Sequence, residues 1–288
     1  MEYIIRKIDE SNKEFPNCLR TIPSRPKELY LIGNLDLSAP CVAIVGPRVP
    51  STYGKQVCAE VVRGLAQSGV CIVSGMAPGI DTLAHKTALD CHGQTIAVIG
   101  SGLDKKSIYP QQNLDLAQKI VDTGGCLVSE YPVGTKGANW TFPQRNRIVA
   151  GLSLAIVVIE AKEKSGSIIT GQWGFKQHKL VFAVPGSIYS ATSRGCHWLL
   201  ANGAKPCASA QDILNAIGIA PANKKIIGAQ SPEEQKIIDA LKENALDIDQ
   251  IILATELSAQ IVISLIPLME LNGLIKNIEL NTYAINNC

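Results

Sequence analysis

The chain has 288 residues, of which 46% are hydrophobic and 18% charged, so it can bury a sizeable core and is too apolar for a disordered polyelectrolyte. Its net charge is +2, but residues 1–231 carry 24 Lys and Arg against 16 Asp and Glu (+8), whereas residues 232–288 carry 3 against 9 (−6). A basic body suits a polyanion and an acidic tail repels one, and aromatic residues at 5% exclude an extended stacking surface.

Residues 1–40 read as a lead-in segment: Phe15-Pro16, Ile22-Pro23 and Arg25-Pro26 predict an extended, Pro-punctuated stretch lying against a larger body. From Cys41 short apolar, β-branched runs alternate with helical stretches. Strands are predicted at 41–46, 70–74, 94–100, 126–129, 154–159 and 180–184. Helices are predicted near 53–68, 79–91, 111–123, 145–152, 167–178 and 195–203, and residues 204–217 add a short strand and a helix. Continuous apolar strands separated by helices predict a doubly wound, mostly parallel α/β sheet covered on both faces, over residues 41–217. Residues 218–231 form a linker rich in Gly, Ala and Lys. Ser231-Pro232-Glu233-Glu234 is a helix start, with a cap, Pro at the first helical position and acids in the first turn. Helices near 232–243, 247–254 and 258–272, followed by a hairpin at 274–276 and 282–285, make residues 232–288 a winged helix. Pro267 should kink or split the third helix.

The nine cysteines are odd in number and contain no C-x-x-C, which fits free buried thiols in a reducing compartment. The first ten residues lack the apolar core of a signal peptide, and no apolar stretch reaches membrane-span length. A cytoplasmic protein without a membrane partner is expected.

Ligands of open α/β sheets bind beyond the carboxyl ends of the strands. There the chain places Arg48, Ser74-Gly75 and Ser165-Gly166-Ser167, and the stretch Phe142-Pro143-Gln144-Arg145-Asn146-Arg147 precedes the fifth strand. Glycine and serine at a strand-to-helix turn let backbone N–H groups converge on an anion. Guanidinium groups pair with phosphates and a ring can stack on a base. The same stretch is also compatible with a helix start whose arginines pair with carboxylates. Arg145 and Arg147 are two apart on a helix and face different directions, so one can hold phosphate while the other braces Glu130 or Glu160. Asn146 fixes the turn.

Enzymatic readings find little support. The chain has no G-x-x-x-x-G-K-[ST], no G-x-G-x-x-G after the first strand and no G-x-S-x-G. The four histidines lack metal-ligand spacing, so no metal and no cofactor is expected. Asp81 and His85, at i,i+4, read as a hydrogen bond along a helix face rather than a dyad, and no nucleophile stands beside Glu130 or Glu160. A nucleotide phosphoribohydrolase would need P-G-G-x-G-T-x-x-E, which is missing. A small-nucleotide sensor remains as a rival.

Taken in order, Ile44-Val45-Gly46-x-Arg48, Ser74-Gly75-x-Ala77-x-Gly79-Ile80-Asp81-x-x-Ala84-His85, Tyr109-Pro110, Ser129-Glu130-Tyr131-Pro132, Phe142-Pro143-x-Arg145-Asn146-Arg147-Ile148, Ser165-Gly166-Ser167 and Pro185-Gly186 resemble the DNA-processing protein A (DprA/Smf) family. The resemblance covers nearly the whole chain. It implies an extended Rossmann-like domain that forms a homodimer. It also implies a non-enzymatic recombination mediator that binds single-stranded DNA, protects incoming strands in natural transformation and loads the RecA recombinase. Carried onto this sequence, the strand-binding residues are Arg48, Phe142, Arg145, Arg147 and the Ser165–Ser167 turn, with Lys136 as a looser match. Three departures stand out: Pro47 replaces a small polar residue, Pro78 replaces a common Arg, and the N-terminal helical domain of many members is absent or reduced to the first 40 residues. The helix at 258–272 has no Lys or Arg, so the winged helix is expected to serve a protein contact or a structural role rather than DNA.

Overall fold

The computed structural model describes residues 4–220, 229, 231–242, 244–271, 273–279 and 281–285. It divides into two compact units, Met1–Ala222 and Asn223–Cys288. The junction falls within the expected linker, most of which (221–228 and 230) lies outside the described residues.

The first unit is built on a nine-stranded sheet. Its parallel strands are β3 (Cys41–Val45), β4 (Cys71–Ser74), β5 (Thr95–Ile99), β6 (Cys126–Ser129), β7 (Ala155–Val158), β8 (Leu180–Ala183) and β9 (Lys205–Pro206). Successive residues of β3 point to opposite faces and all five are buried, which is why these strands read as unbroken apolar runs. Cys41, Ala43 and Val45 join one core; Val42 and Ile44 join another.

Helices α1 (Asn17–Arg20), α5 (Thr141–Gly151), α6 (Gly166–Lys176) and α7 (Arg194–Ala201) contribute to the core of the first face. Helices α2 (Thr52–Gln67), α3 (Ile80–Asp90), α4 (Leu114–Asp122) and α8 (Ala210–Ile217) cover the second. The eight described cysteines are free, and six are buried. No single described helix is long and apolar enough to cross a membrane.

The lead-in differs from its sequence reading. Residues 6–33 contain β1 (Arg6–Asp9) and β2 (Glu28–Gly33), an antiparallel pair added to the antiparallel edge β2–β6. Phe15, Leu19, Leu29 and Leu31 are among the most buried side chains of the core. The segment is part of the sheet because β6 would otherwise expose an unpaired edge. Helix α5 also begins four residues earlier than expected. Pro143 is its third residue, in the first turn, where the missing N–H costs nothing.

The strand order is β1-β2-β6-β5-β4-β3-β7-β8-β9. The chain therefore winds one way from β3 to β6 and the other way from β7 to β9. Between the adjacent ends of β3 and β7, paired through Val45 and Val158, lies the topological switch point.

The second unit holds α9 (Pro232–Ala240), α10 (Ile248–Thr255), α11 (Ala259–Leu271) and a three-stranded sheet of β10 (Leu246–Asp247), β12 (Thr282–Ile285) and β11 (Ile275–Glu279). This is a winged helix around Ile237, Ile251, Val262, Ile266 and Met269. Helix α11 runs through Pro267 as one helix, so of the kink or split expected there the split does not occur. Pro267 is exposed, and the carbonyl it leaves over is that of Ile263, also exposed, so water can satisfy it. The short β10 was not legible in sequence.

Candidate nucleic-acid interface

An open groove of about 480 Å³ lies at the switch point, lined by the ends of β3 and β4, the first half of α5 and the N-terminus of α6. Arg48, Gly75, Phe142, Arg145, Asn146 and the Ser165–Ser167 turn all line it. Ser74, Lys136 and Arg147 do not. Lys162 and Asn139 line it as well and were not singled out in sequence. The run Lys162-Glu163-Lys164 directly before Ser165-Gly166-Ser167 was the available signal.

Arg48 is exposed at the rim and makes no ion pair among the described residues. Its guanidinium carbon stands 5.8 Å from the centroid of the Phe142 ring, a cation–π distance. The half-buried Phe142 ring is held from behind: a Cβ on Gly100 would lie 2.8 Å from it, as would one on Gly137. Its centroid is 5.4 Å from that of Tyr109. Lys162 is exposed at the opposite wall and is likewise unpaired among the described residues.

The N-terminus of α6 is open. Ser165 precedes it in an extended conformation with no side-chain cap, and its Oγ pairs with Ser167 Oγ at 2.6 Å. The N–H groups of Gly166 and Ser167 have no hydrogen-bond partner among the described residues, which leaves two donors and the positive end of a helix facing the groove. Asn146 braces this wall by donating from Nδ2 to Gly166 O at 3.2 Å.

The Ser74–Gly75 turn is not such a site. Ser74 is fully buried and donates its hydroxyl to Ile44 O at 2.6 Å. The Gly75 N–H donates to Asp81 Oδ2 at 3.1 Å, and Ala77 N–H to the same oxygen at 3.4 Å. A carboxylate of the chain thus takes the donors that a phosphate would need.

The two arginines of α5 are also more committed than expected. Arg147, 3% exposed, donates to Ser24 O, Gln144 O and Glu130 Oε1 at 2.6, 2.9 and 2.5 Å. It faces away from the groove, so the DNA contact expected of it is corrected to a brace on Glu130. Arg145, 5% exposed, forms the groove floor; it donates to Gly75 O at 2.6 Å, to Val98 O, and to Asn146 Oδ1 at 3.2 Å. Burial pushes its pKa down and pushes that of Asp81 up, and each of these two charges opposes the other's shift. Lys136 is exposed on the 132–140 loop outside the groove.

Neither His85 with Asp81 nor Glu160 forms an acid–base pair among the described residues. His85 does not bond to Asp81; its Nδ1 meets Thr95 Oγ1 at 2.6 Å, and burial lowers its pKa to about 3. Glu160 accepts from Ser51 N–H and Oγ and from Thr192 Oγ. Among the described residues no group of His, Cys, Asp or Glu is arranged to hold a metal ion.

The sequence pattern of the family described as DNA recombination-mediator protein A matches residues 6–218, and that of the DprA winged helix domain matches residues 204–278. The chain belongs to the DNA recombination-mediator protein A (DprA/Smf) family. It is 45% identical to the DNA processing protein DprA of Streptococcus pneumoniae over 201 residues, covering 69% of this chain and 70% of that one. It is 40% identical to DprA of Bacillus subtilis over 215 residues, covering 74% and 71%. With the Smf protein of Synechocystis the identity is 41% over 230 residues, covering 78% of this chain but only 56% of the relative's length. The solved structure of the S. pneumoniae DprA superposes with a TM-score of 0.69 at 42% identity, covering 73% of this chain and 74% of that one. That of Helicobacter pylori DprA, described for its single-stranded DNA binding mode, gives 0.66 at 31% identity, covering 75% and 96%.

Proposed function

We propose that this DprA-family chain binds single-stranded DNA in the groove at the switch point. The observation that carries this reading is the pairing of two free cations, Arg48 and Lys162, with the open N-terminus of α6 across one cleft that has Phe142 in its wall. Arg48, Lys162 and the N–H groups of Gly166 and Ser167 hold phosphates, and Phe142 stacks on a base. Arg145 and Asn146 keep the floor and wall in place. These contacts carry no base-edge readout, so sequence preference is low.

As a recombination mediator the chain would act without chemistry of its own: it protects the strand and delivers it to the RecA recombinase, working as a cytoplasmic homodimer through the α/β unit. Two grooves on one strand raise affinity through effective concentration. Family membership supports this reading.

The test is a salt-titrated binding measurement with single- and double-stranded DNA. Arg48→Ala should weaken single-strand binding and reduce the log–log salt slope by roughly 0.7, one phosphate contact. An unchanged slope would remove Arg48 from the interface. Displacement of the oligonucleotide by a mononucleotide at equal concentration would favour the small-nucleotide sensor instead.

A further inference from the structure

We propose that Glu160 is the positioning residue of the groove. Buried and outside the groove lining, it fixes the loop that carries Arg48 against the wall that carries Lys162 and the N-terminus of α6. This rests on the groove reading and deepens it.

Glu160 lies two residues beyond β7 and two before Lys162, and Ser51 lies three residues after Arg48. The Glu160 side chain is only 3% exposed. Its Oε2 accepts from Ser51 N–H at 2.9 Å, and its Oε1 accepts from Ser51 Oγ at 2.7 Å and from Thr192 Oγ1 at 2.8 Å. Thr192 O takes the Ala161 N–H at 2.7 Å, and Ser167 Oγ donates to Glu160 O at 3.4 Å. One carboxylate therefore joins the three strand-to-helix loops that follow β3, β7 and β8.

The Arg48 loop depends on this joint because it has few other ties. Among the described residues Arg48, Val49 and Pro50 make no hydrogen bond, and Val49 is 85% exposed. The loop hangs between two points. At one, Pro47 O accepts Ile80 N–H at 3.2 Å. At the other, Ser51 caps α2 by accepting from Gly54 N–H at 3.0 Å, and Glu160 ties that cap to the opposite wall. The separation of Arg48 from Lys162, and so the spacing of phosphates that both can hold, is set at Glu160.

Glu160 also decides which of two helix N-termini is left open. A Cβ on Gly54 would stand 2.2 Å from Glu160 Oε2, so the carboxylate sits against the first turn of α2, where the helix dipole favours negative charge. The chain fills the N-terminus of α2 with its own anion and leaves that of α6 to the strand.

Charge alone predicts the opposite effect of removing this residue. A carboxylate behind a phosphate site repels the strand, so its loss would tighten binding. Loss of a joint weakens binding, and the sign separates the two.

The experiment measures single-strand affinity of the full chain over a salt titration, with the folded fraction of each variant checked by urea unfolding. Glu160→Ala should weaken binding as much as Arg48→Ala does, within about twofold, and lower the log–log slope by roughly 0.7 although every cation is still present. Adding Arg48→Ala to it should cost no more than about twofold further. Glu160→Gln keeps the joint, with its carbonyl on Ser51 N–H and its amide on the two hydroxyls, which also accept. It should bind at least as tightly as wild type. If Glu160→Ala does not fold, Ser51→Ala carries the test: it should lower affinity when Arg48 is present and not when Arg48 is Ala, and an equal effect in both overturns the role. Unchanged or tighter binding in Glu160→Ala, or effects of Glu160→Ala and Arg48→Ala that simply add, likewise overturn it and leave the groove standing. Arg48→Ala without effect on affinity or slope removes the groove, and the role of Glu160 with it.

Discussion

Asp81 takes the N–H of Gly75 on its Oδ2 at 3.1 Å, and so closes the turn whose serine and glycine read in sequence as a phosphate cradle. The reason for glycine at position 75 lies on its other side: a Cβ there would stand 2.4 Å from Arg145 Nη2. Gly75→Ala should push the guanidinium off Gly75 O and Val98 O and cost about 1–3 kcal/mol, as overpacking does. Denaturant midpoints check the loss. The salt slope of strand binding should stay the same, since this turn donates nothing to phosphate.

His85 gives the fold an acid-labile point. It is fully buried, its Nε2 has no partner among the described residues, and burial holds its pKa at about 3 against an ordinary 6.5. Because the folded value lies below the unfolded one, its contribution to stability is complete above pH 6.5 and drains away as pH falls toward 3. The slope is about 1.4 kcal/mol per pH unit. Between pH 6.5 and 4.5 wild type should therefore lose roughly 2 kcal/mol more than His85→Gln. Equal losses in paired urea titrations at the two pH values would show that His85 protonates in the folded state.

Arg147 and Arg48 should separate stability from binding. Arg147→Ala strands a Glu130 carboxylate that is only 17% exposed and removes two carbonyl contacts. A loss of about 3–5 kcal/mol is expected, the cost of leaving one half of a buried pair. Strand affinity of the molecules that remain folded should be nearly that of wild type. A changed salt slope would return Arg147 to the interface.

Deleting residues 232–288 should leave single-strand affinity within about tenfold of the full chain, roughly 1.4 kcal/mol. The exposed side of α11 presents Ile263 and Leu268 and no cation, and the segment carries a balance of −6. An isotherm shifted further than that would make the winged helix part of the strand site.

Much of the architecture was legible because it rests on local pattern. Six buried parallel strands announce themselves as unbroken apolar runs, since both faces of the sheet are covered. The cap and Pro at Ser231-Pro232 mark where α9 begins. Strands β1 and β2 were not legible, because an edge pair is defined by its partner β6, far along the chain, and not by its own composition. The order of motifs from Ile44 to Gly186 determined the family. It could not say which polar groups are already spent inside the fold. Whether Gly75 donates to phosphate or to Asp81, and whether Arg147 faces the groove or Glu130, depends on what the sheet brings within 3 Å. Gly75 and Asp81 are 6 positions apart and Arg147 and Glu130 are 17, yet no helix or strand period pairs them, so only the tertiary structure decides it. The residues left with free donors or charges at the rim, Arg48, Lys162, Gly166 and Ser167, are a subset that no spacing rule singles out.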